Sequence, residues 1–203
     1  MIVLFDNLTA TLIGGVILLI LVAMQVRLNT ANVEQTALTI AKGQALDFGD
    51  WIQEDLGNAG SGVAVNQEFI ENVEVDPETG NTTRVSFYRK VNPSDASPTM
   101  ITYELIDGQT VTVDGEEVQL YQLQRCEGAS TCPVASASLN GQSAPALSYF
   151  NIDFLDDSGW MAGTTGAQYI RIRFAMASVL SDNNIHLREA QWGTVLPLRE
   201  RDS

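Results

Sequence analysis

Residues 1–27 read MIVLFDNLTATLIGGVILLILVAMQVR, and this stretch decides the architecture of the chain. Asp6 and Arg27 are its only charged residues, and Leu8–Met24 is an uninterrupted run of 17 residues without charge. A run of that length is at the lower limit for a helix that crosses a bilayer, and Met1–Phe5 extends it if Asp6 is tolerated. No Lys or Arg precedes the run and no A-x-A-like site follows it. We therefore predict a retained apolar helix and not a cleaved signal peptide.

The helical pattern continues beyond Arg27. Apolar residues recur at steps of three or four, which puts them on one face of a helix, at Leu38, Ala41, Ala45, Phe48, Ile52 and Leu56. No proline occurs before Pro77, and Gly57 and Gly60 supply a C-terminal stop. A membrane anchor followed by a linker is the alternative, but residues 29–40 lack the Pro, Gly and Ser of linkers. We predict one helix of about 84 Å from Met1 to Leu56, apolar all round over residues 1–27 and amphipathic over 28–57.

Residues 58–203 have the pattern of an antiparallel β-sheet. Apolar residues alternate or cluster over 83–91, 147–156 and 168–180, and two Asp-Gly turn signals, Asp107-Gly108 and Asp114-Gly115, interrupt residues 100–125. A sheet laid against the apolar stripe of the helix would bury the apolar faces of both. The sequence therefore predicts an α+β fold: a long N-terminal helix, apolar and then amphipathic, packed against a β-rich globular domain.

The charge is distributed unevenly between these parts. Residues 1–27 hold one acid and one base, so the formal net charge of −14 belongs wholly to residues 28–203. An acidic domain of this kind repels phosphate backbones, so we expect no nucleic-acid partner.

Two cysteines, Cys126 and Cys132, lie in the segment RCEGASTCP. Two free thiols are one interpretation, and the spacing matches no common zinc pattern. Because a membrane segment precedes them, the non-cytosolic side favours a disulfide, which we expect to contribute about 2 kcal/mol in so short a ring.

Evidence for catalysis is sparse. His186 is the only histidine, no G-x-S-x-G motif occurs, and the glycine-rich residues 57–62 follow a helix, whereas a phosphate-binding loop precedes one. We predict that the chain is not an enzyme and has no cofactor.

Three further features could bind a ligand or a partner. The carboxylates Asp153, Asp156 and Asp157 are weak calcium candidates, and Asp76 with Glu78 is weaker still, because acidic turns are ordinary. Asn81 begins a glycosylation sequon on a predicted turn. Trp160 and Met161 lie in a Gly-flanked loop and are candidate exposed contacts, although a core position is the commoner fate of tryptophan.

A lone carboxylate in hydrocarbon costs roughly 2.5–3.5 kcal/mol on insertion scales, so Asp6 needs a partner or a route to water. It could lie at the headgroup level, or it could pair with the α-amino group of Met1 on an adjacent copy and so fix the stagger of a helix bundle. Gly14-Gly15 also has two interpretations, a close-packing face or a point where the helix stretches.

An apolar N-terminal helix with an acidic residue near its start, which continues unbroken into an amphipathic half and then a β-sheet domain, resembles type IV pilins and type II secretion pseudopilins. LDFGDWIQEDLGNAGSG, residues 46–62, is similar to the end of the first helix of the J-type minor pilins, and residues 149–161 and 167–178 resemble their late strand pair more loosely. The family places glutamate at the fifth mature residue, whereas here position 5 is Phe5 and the acid is Asp6.

The resemblance implies a structural subunit that self-assembles into an extracellular helical filament, a pilus or a pseudopilus. It implies a homo-oligomer, a prepilin peptidase and inner-membrane assembly machinery as partners, and a single-pass inner-membrane stage before assembly at the cell surface. The alternative is a single-pass membrane-anchored binding or sensor domain outside the cytoplasm. The residues expected at the assembly interface are Met1, Phe5, Asp6, Leu12, Ile13, Gly14, Gly15, Ile17, Leu18 and Leu21.

Overall fold

The computed structural model describes residues 2–64, 67–92, 94–113, 115–132, 146–164, 166–182 and 184–198, with the backbone alone for residues 2–10, 178–182 and 184–188. Within these residues the chain forms one helix and a seven-stranded sheet, so the predicted α+β class is confirmed. The elements are α1 (Ile2–Gly57), β1 (Ile70–Val75), β2 (Thr82–Arg89), β3 (Thr99–Val113), β4 (Glu116–Glu127), β5 (Leu147–Leu155), β6 (Tyr169–Asp182) and β7 (Asn184–Pro197).

Helix α1 is continuous, as predicted, over 56 residues. Its buried stripe differs from the predicted one at the first position, because Ala37 is buried where Leu38 is only half-buried. Ala37, Ala41 and Ala45 follow one another at steps of four, and their small side chains let the helix approach the sheet closely. The chain leaves the helix after Gly57, and Gly60 adopts a positive φ of 80° while its N–H donates to the Tyr88 carbonyl at 2.7 Å.

The seven strands lie in sequence order, and each pair of neighbours is antiparallel. The turn predicted after Val113 is confirmed in position, since Val113 pairs with Glu116 and Gly115 has a φ of 89°. The turn predicted at Asp107-Gly108 is wrong. Strand β3 runs through it with a shift in register, and a Cβ on Gly108 would lie 2.8 Å from the Leu120 carbonyl oxygen. The glycine is needed there for close approach of two backbones within a bulge.

The sequence patterns missed two edge strands, β1 and β7. Both carry charged residues on their exposed face, and β7 contains glycine, which lowers the apparent strand signal. Strand β7 is nevertheless central to the core, because Trp192 stacks on Phe174 with ring centroids 5.0 Å apart. Phe174 in turn meets Phe48 of α1 edge to face at 4.8 Å.

The core therefore lies between the second half of α1 and one face of the sheet. Ile52 of the helix is fully buried, as are Ile101, Tyr103 and Ile172 of the strands. Each fully buried large aliphatic side chain contributes about 1.5–3 kcal/mol, so this interface dominates the stability of the domain. The molecule is a two-layer α+β fold whose helix extends far beyond its own sheet.

The side chains of Asn81, which precedes β2, and of Thr82, its first residue, accept hydrogen bonds from the backbone of β5. Asn81 Oδ1 accepts a hydrogen bond from the Phe150 N–H at 3.2 Å, and Thr82 Oγ1 accepts one from the Ile152 N–H at 2.9 Å. Asn81 is only 3% exposed. The side-chain oxygen of Asn81 is therefore used within the fold, and glycosylation at its sequon stays a prediction.

Candidate functional site

The first half of α1 is a rod of exposed apolar side chains. The 18-residue window of highest hydropathy, within Thr11–Gly57, has none of its residues buried by the domain, and the helix is long and apolar enough to cross a membrane. The sequence-based expectation of a candidate membrane span is therefore confirmed. Soluble proteins rarely leave so large a contiguous apolar surface uncovered, so lipid or protein must cover this segment.

The predicted interface residues that have described side chains all lie on this rod. Their exposed fractions range from 53% at Ile17 to 64% at Leu12, with Ile13, Leu18 and Leu21 between these values. Space is open around Gly14 and Gly15, where a Cβ would meet nothing within 4 Å, and the helix runs through both without a break. The two interpretations of this glycine pair both stay predictions.

The side chains of Phe5 and Asp6 lie outside the described set, as does all of Met1. Asp6 is described as a helical residue of α1 by its backbone alone. The predicted pairing of Asp6 with an α-amino group therefore stays a prediction.

A buried ion-pair centre fixes the other end of α1 to the sheet. Asp55 is only 2% exposed, and it forms ion pairs through Oδ1 with Arg89 at 2.7 Å and through Oδ2 with Arg125 at 2.6 Å. Its Oδ2 also accepts a hydrogen bond from the hydroxyl of Tyr103. The Arg125 guanidinium also lies over the ring of Trp51, 5.5 Å from its centroid. We call Asp55, Arg89, Tyr103 and Arg125 the Asp55 centre. It joins the last turn of the helix to β2, β3 and β4.

Electrostatics in the Asp55 centre follow from its burial. Burial first, and then the adjacent charge of Asp55, raises the pKa of Tyr103 well above its usual value of 10.0. Desolvation is the largest single effect and lowers the pKa of Arg125, yet its hydrogen bonds with Asp55 and Glu127 and the charge of Asp55 together outweigh it and raise that pKa. Tyr103 and Arg125 therefore keep their protons at physiological pH, so both remain hydrogen-bond donors to Asp55.

Sequence reasoning missed the Asp55 centre, although one signal was available. Asp55 follows Ile52 by three residues and precedes Leu56, so it falls on the apolar stripe of the helix. An acid on a core-facing stripe requires a buried basic partner. The identity of that partner depended on tertiary contacts across separations of up to 70 residues.

The predicted disulfide is confirmed between Cys126 and Cys132, whose Cα atoms are 5.4 Å apart. Two hydrogen bonds tie its loop to β3. The N–H of Cys132 donates to Glu104 Oε2 at 3.0 Å, and Thr102 Oγ1 donates to the Ala129 carbonyl at 2.6 Å. Glu104 also pairs with Arg84 at 2.6 Å.

Glu104 should make domain stability depend on acidic pH. Desolvation raises its pKa, but hydrogen bonds from Arg84 and from the Cys132 N–H outweigh it and lower the pKa below the usual 4.5. A lowered folded-state pKa adds stability above the unfolded-state pKa and loses it as pH falls through the folded value. We expect Glu104→Gln to lower the free energy of unfolding by about 1 kcal/mol at pH 7. The difference from wild type should shrink towards pH 3, as measured by urea unfolding at each pH.

Glu117→Gln is the matched control, because Glu117 is exposed on β4 and has no ion pair within the part of the chain that the structure describes. Its pH profile should run parallel to that of the wild type. A constant difference between Glu104→Gln and wild type from pH 7 to pH 3 would contradict the assignment.

The calcium candidates do not converge. Asp153 is buried and paired with Arg171 at 2.7 Å and Arg173 at 2.8 Å, while Asp156 caps its own turn by accepting from the N–H groups of Ser158 and Trp160. Asp157 is hydrogen-bonded to Ser158. Asp76 likewise accepts from Thr79 and from the Glu78 N–H within its own turn. In the described ranges no three His, Cys, Asp or Glu side chains form a metal-binding group.

Two other candidates have different outcomes. Trp160 is 75% exposed and Met161 67%, so this pair is a surface feature and not part of the core. The side chain of His186 lies outside the described set.

Comparisons with protein-family models, with curated proteins and with solved structures gave no significant match to this chain.

Proposed function

We propose that this chain is a pilin-like subunit whose N-terminal helix assembles with copies of itself into an extracellular helical filament. The observation that carries the proposal is the uncovered apolar rod that continues, without a flexible joint, into the helix of a folded domain. A subunit built this way places its rod in a common core and its acidic domain in an outer sheath. The processing peptidase and inner-membrane machinery implied by the resemblance would act before and during assembly.

The energetics favour self-association once the rod leaves lipid. Twelve large apolar side chains between Leu12 and Leu28 are each about half or more exposed. Moving them from lipid into water would cost on the order of 10 kcal/mol in total. Lipid and neighbouring helices are about equally apolar, so exchanging one for the other costs little. Outside the cell there is no bilayer around the rod, and the rods of other subunits provide the apolar surroundings in its place.

Asp6 has a defined role in this proposal. A carboxylate within a bundle of apolar helices needs a cation, and the α-amino group of a neighbouring subunit is the one that an axial stagger brings close. Such a pair fixes register more than it adds stability. The stagger of the filament then depends on a single side chain.

Replacing Asp6 tests this role. We expect Asp6→Ala and Asp6→Lys to abolish filaments in electron micrographs of sheared surface material, with lysine the more severe because it opposes the amine with a like charge. Membrane insertion, measured by fractionation, should be unchanged, because the apolar run stays intact. Asn7→Ala is the matched control and should assemble as the wild type does.

Filaments that form normally without the carboxylate would contradict the proposal. A wild-type chain that stays a lipid-embedded monomer would instead support the single-pass anchored binding domain. Mass spectrometry of the N-terminus adds an independent test. A processed and N-methylated Met1 is expected for the pilin class, whereas an unprocessed formyl-Met start would count against it.

A further inference from the structure

A cleft lies on the face of the sheet that points away from α1. Its volume is about 630 Å³, within the range of small-molecule sites, and it spans the outer face of β5, β6 and β7. Pairing across the strands places Tyr149, Ala175 and Gln191 in one row, and Arg173 and Gly193 in the next. Because side chains alternate along a strand, these residues face away from the core residue Phe174.

A shift in strand register brings an extra residue to this cleft. The pairing of β5 with β6 slips between Leu147 and Tyr149, which leaves Ser148 as the additional residue. Bulges of this kind redirect side chains and are over-represented beside functional sites. Ser148 lines the cleft, and its Oγ is buried without a hydrogen-bond partner in the part of the chain that the structure describes. A buried hydroxyl left unpaired costs about 1–3 kcal/mol, and a ligand recovers this cost when the Ser148 side chain turns its hydroxyl into the cleft.

The polar side chains around Ser148 include both hydrogen-bond donors and hydrogen-bond acceptors, and Arg173 among them is held in place by its neighbours. Arg173 Nη2 donates to Asn151 Oδ1 at 2.9 Å and to Asp153 Oδ2 at 2.8 Å, which orients the guanidinium on the outer face of the sheet. Glu189 and Gln191 are exposed on β7 and also line the cleft. The guanidinium only donates, the carboxylate only accepts, and the amide and hydroxyl do both.

The shape of the cleft favours a flat ligand. Gly193 has no side chain and Ala175 has only a methyl group, so the polar groups surround a shallow floor. Tyr149 adds aromatic surface at its side, and Val118 of β4 adds an aliphatic wall. An aromatic ring with one polar atom suits ligands that are apolar on one face and polar at the edge.

We infer that this cleft binds a neutral saccharide. Each hydroxyl of a sugar ring both donates and accepts, which matches a set that contains a pure donor, a pure acceptor and two groups of mixed capacity. The lining holds one cationic and one anionic side chain, so it selects for no net charge, and the charge of −14 on residues 28–203 repels anionic ligands such as nucleotides. The inference does not depend on filament assembly.

Binding is tested on the full-length chain in a zwitterionic detergent that contains no sugar. Lactose, cellobiose and chitobiose are the probes, followed by saturation-transfer NMR and isothermal titration calorimetry. We expect at least one disaccharide to bind with millimolar or tighter affinity. Gln191→Ala should weaken that affinity about tenfold, the effect of losing one hydrogen bond from a polar site.

Ser148→Ala separates a ligand contact from a structural role. Its hydroxyl has no described partner, so the variant should unfold at the wild-type temperature or slightly above it. Its affinity for the disaccharide should nevertheless fall at least about fivefold. A hydroxyl that only supports the fold would give the opposite pair of results.

Val195→Thr is the control, because Val195 is exposed on the same face of β7 but does not line the cleft. It should bind as the wild type does, and so should Asp6→Ala, which tests assembly alone. The inference is overturned if none of the three disaccharides binds, if Ser148→Ala retains full affinity, or if free glycine or glutamate binds the cleft in their place.

Discussion

Replacing Asp55 with alanine should lower the free energy of unfolding of the domain by about 3–5 kcal/mol. The substitution removes the one carboxylate that Arg89 and Arg125 share, and their side chains are only 9% and 17% exposed. Arg89 would keep a long contact to the Glu54 carbonyl at 3.4 Å, and Arg125 would keep Glu127 at the surface. Buried charge without a counter-charge is among the costliest defects in a protein. Urea unfolding followed by tryptophan fluorescence measures the loss, with Trp51 beside Arg125 as a local reporter.

Asp50→Ala provides the matched control five residues earlier on α1. Asp50 is exposed and has no ion pair within the described ranges, so its removal should change the free energy of unfolding by no more than about 0.5 kcal/mol. Near-equal effects of the two substitutions would show that the Asp55 centre does not hold the helix to the sheet.

Gly49→Leu should cost about 3 kcal/mol by forcing helix and sheet apart. A Cβ at position 49 would overlap the indole of Trp192, closer than non-bonded atoms approach. The indole cannot simply swing away, because it is stacked on Phe174 within the core. We expect a lower midpoint of urea unfolding and faster hydrogen exchange along β7, measured by mass spectrometry.

The same substitution at Gly43 should have the opposite effect on the free energy of unfolding. Gly43 lies six residues earlier on the same helix, and a Cβ there would meet nothing within 4 Å. Leucine is a better helix former than glycine, so Gly43→Leu should raise the free energy of unfolding by up to about 1 kcal/mol. Destabilisation by both variants to a similar degree would mean that leucine disturbs the helix itself and not its contact with Trp192.

The helix could be predicted from the sequence because its signals are local. Steps of three and four residues, the absence of proline and a glycine stop act within a few turns, and they gave the stripe from Ala41 to Leu56 correctly. The single difference, Ala37 in place of Leu38, reflects distance to the sheet, which favours a small residue where the two layers first meet. Strands β2, β5 and β6 were predictable for the same reason. Burial alternates in β6 at Ile170, Ile172 and Phe174, whereas β2 and β5 were recognisable from short apolar runs whose residues are mostly buried.

The remaining features depend on contacts between distant segments. Nothing near Asp107-Gly108 distinguishes a tight turn from a bulge, because the difference is set by the approach of the Leu120 carbonyl across the hairpin. The sequon at Asn81 has ordinary turn composition, and only the packing of β5 against it shows that its amide is used. The cleft around Ser148 could not be predicted either, since it depends on a one-residue slip between β5 and β6.

The unbroken helix also limits how the domain can move. Between Leu28 and Thr36 the rod rises about 14 Å before Ala37, the first buried residue in the described part of α1, and it remains helical throughout. A flexible tether would let the domain tumble over the membrane, whereas here a turn of the rod about its long axis swings the domain through the same angle. Copies whose rods have the same rotation about the long axis must therefore turn the same side of the sheet in the same direction.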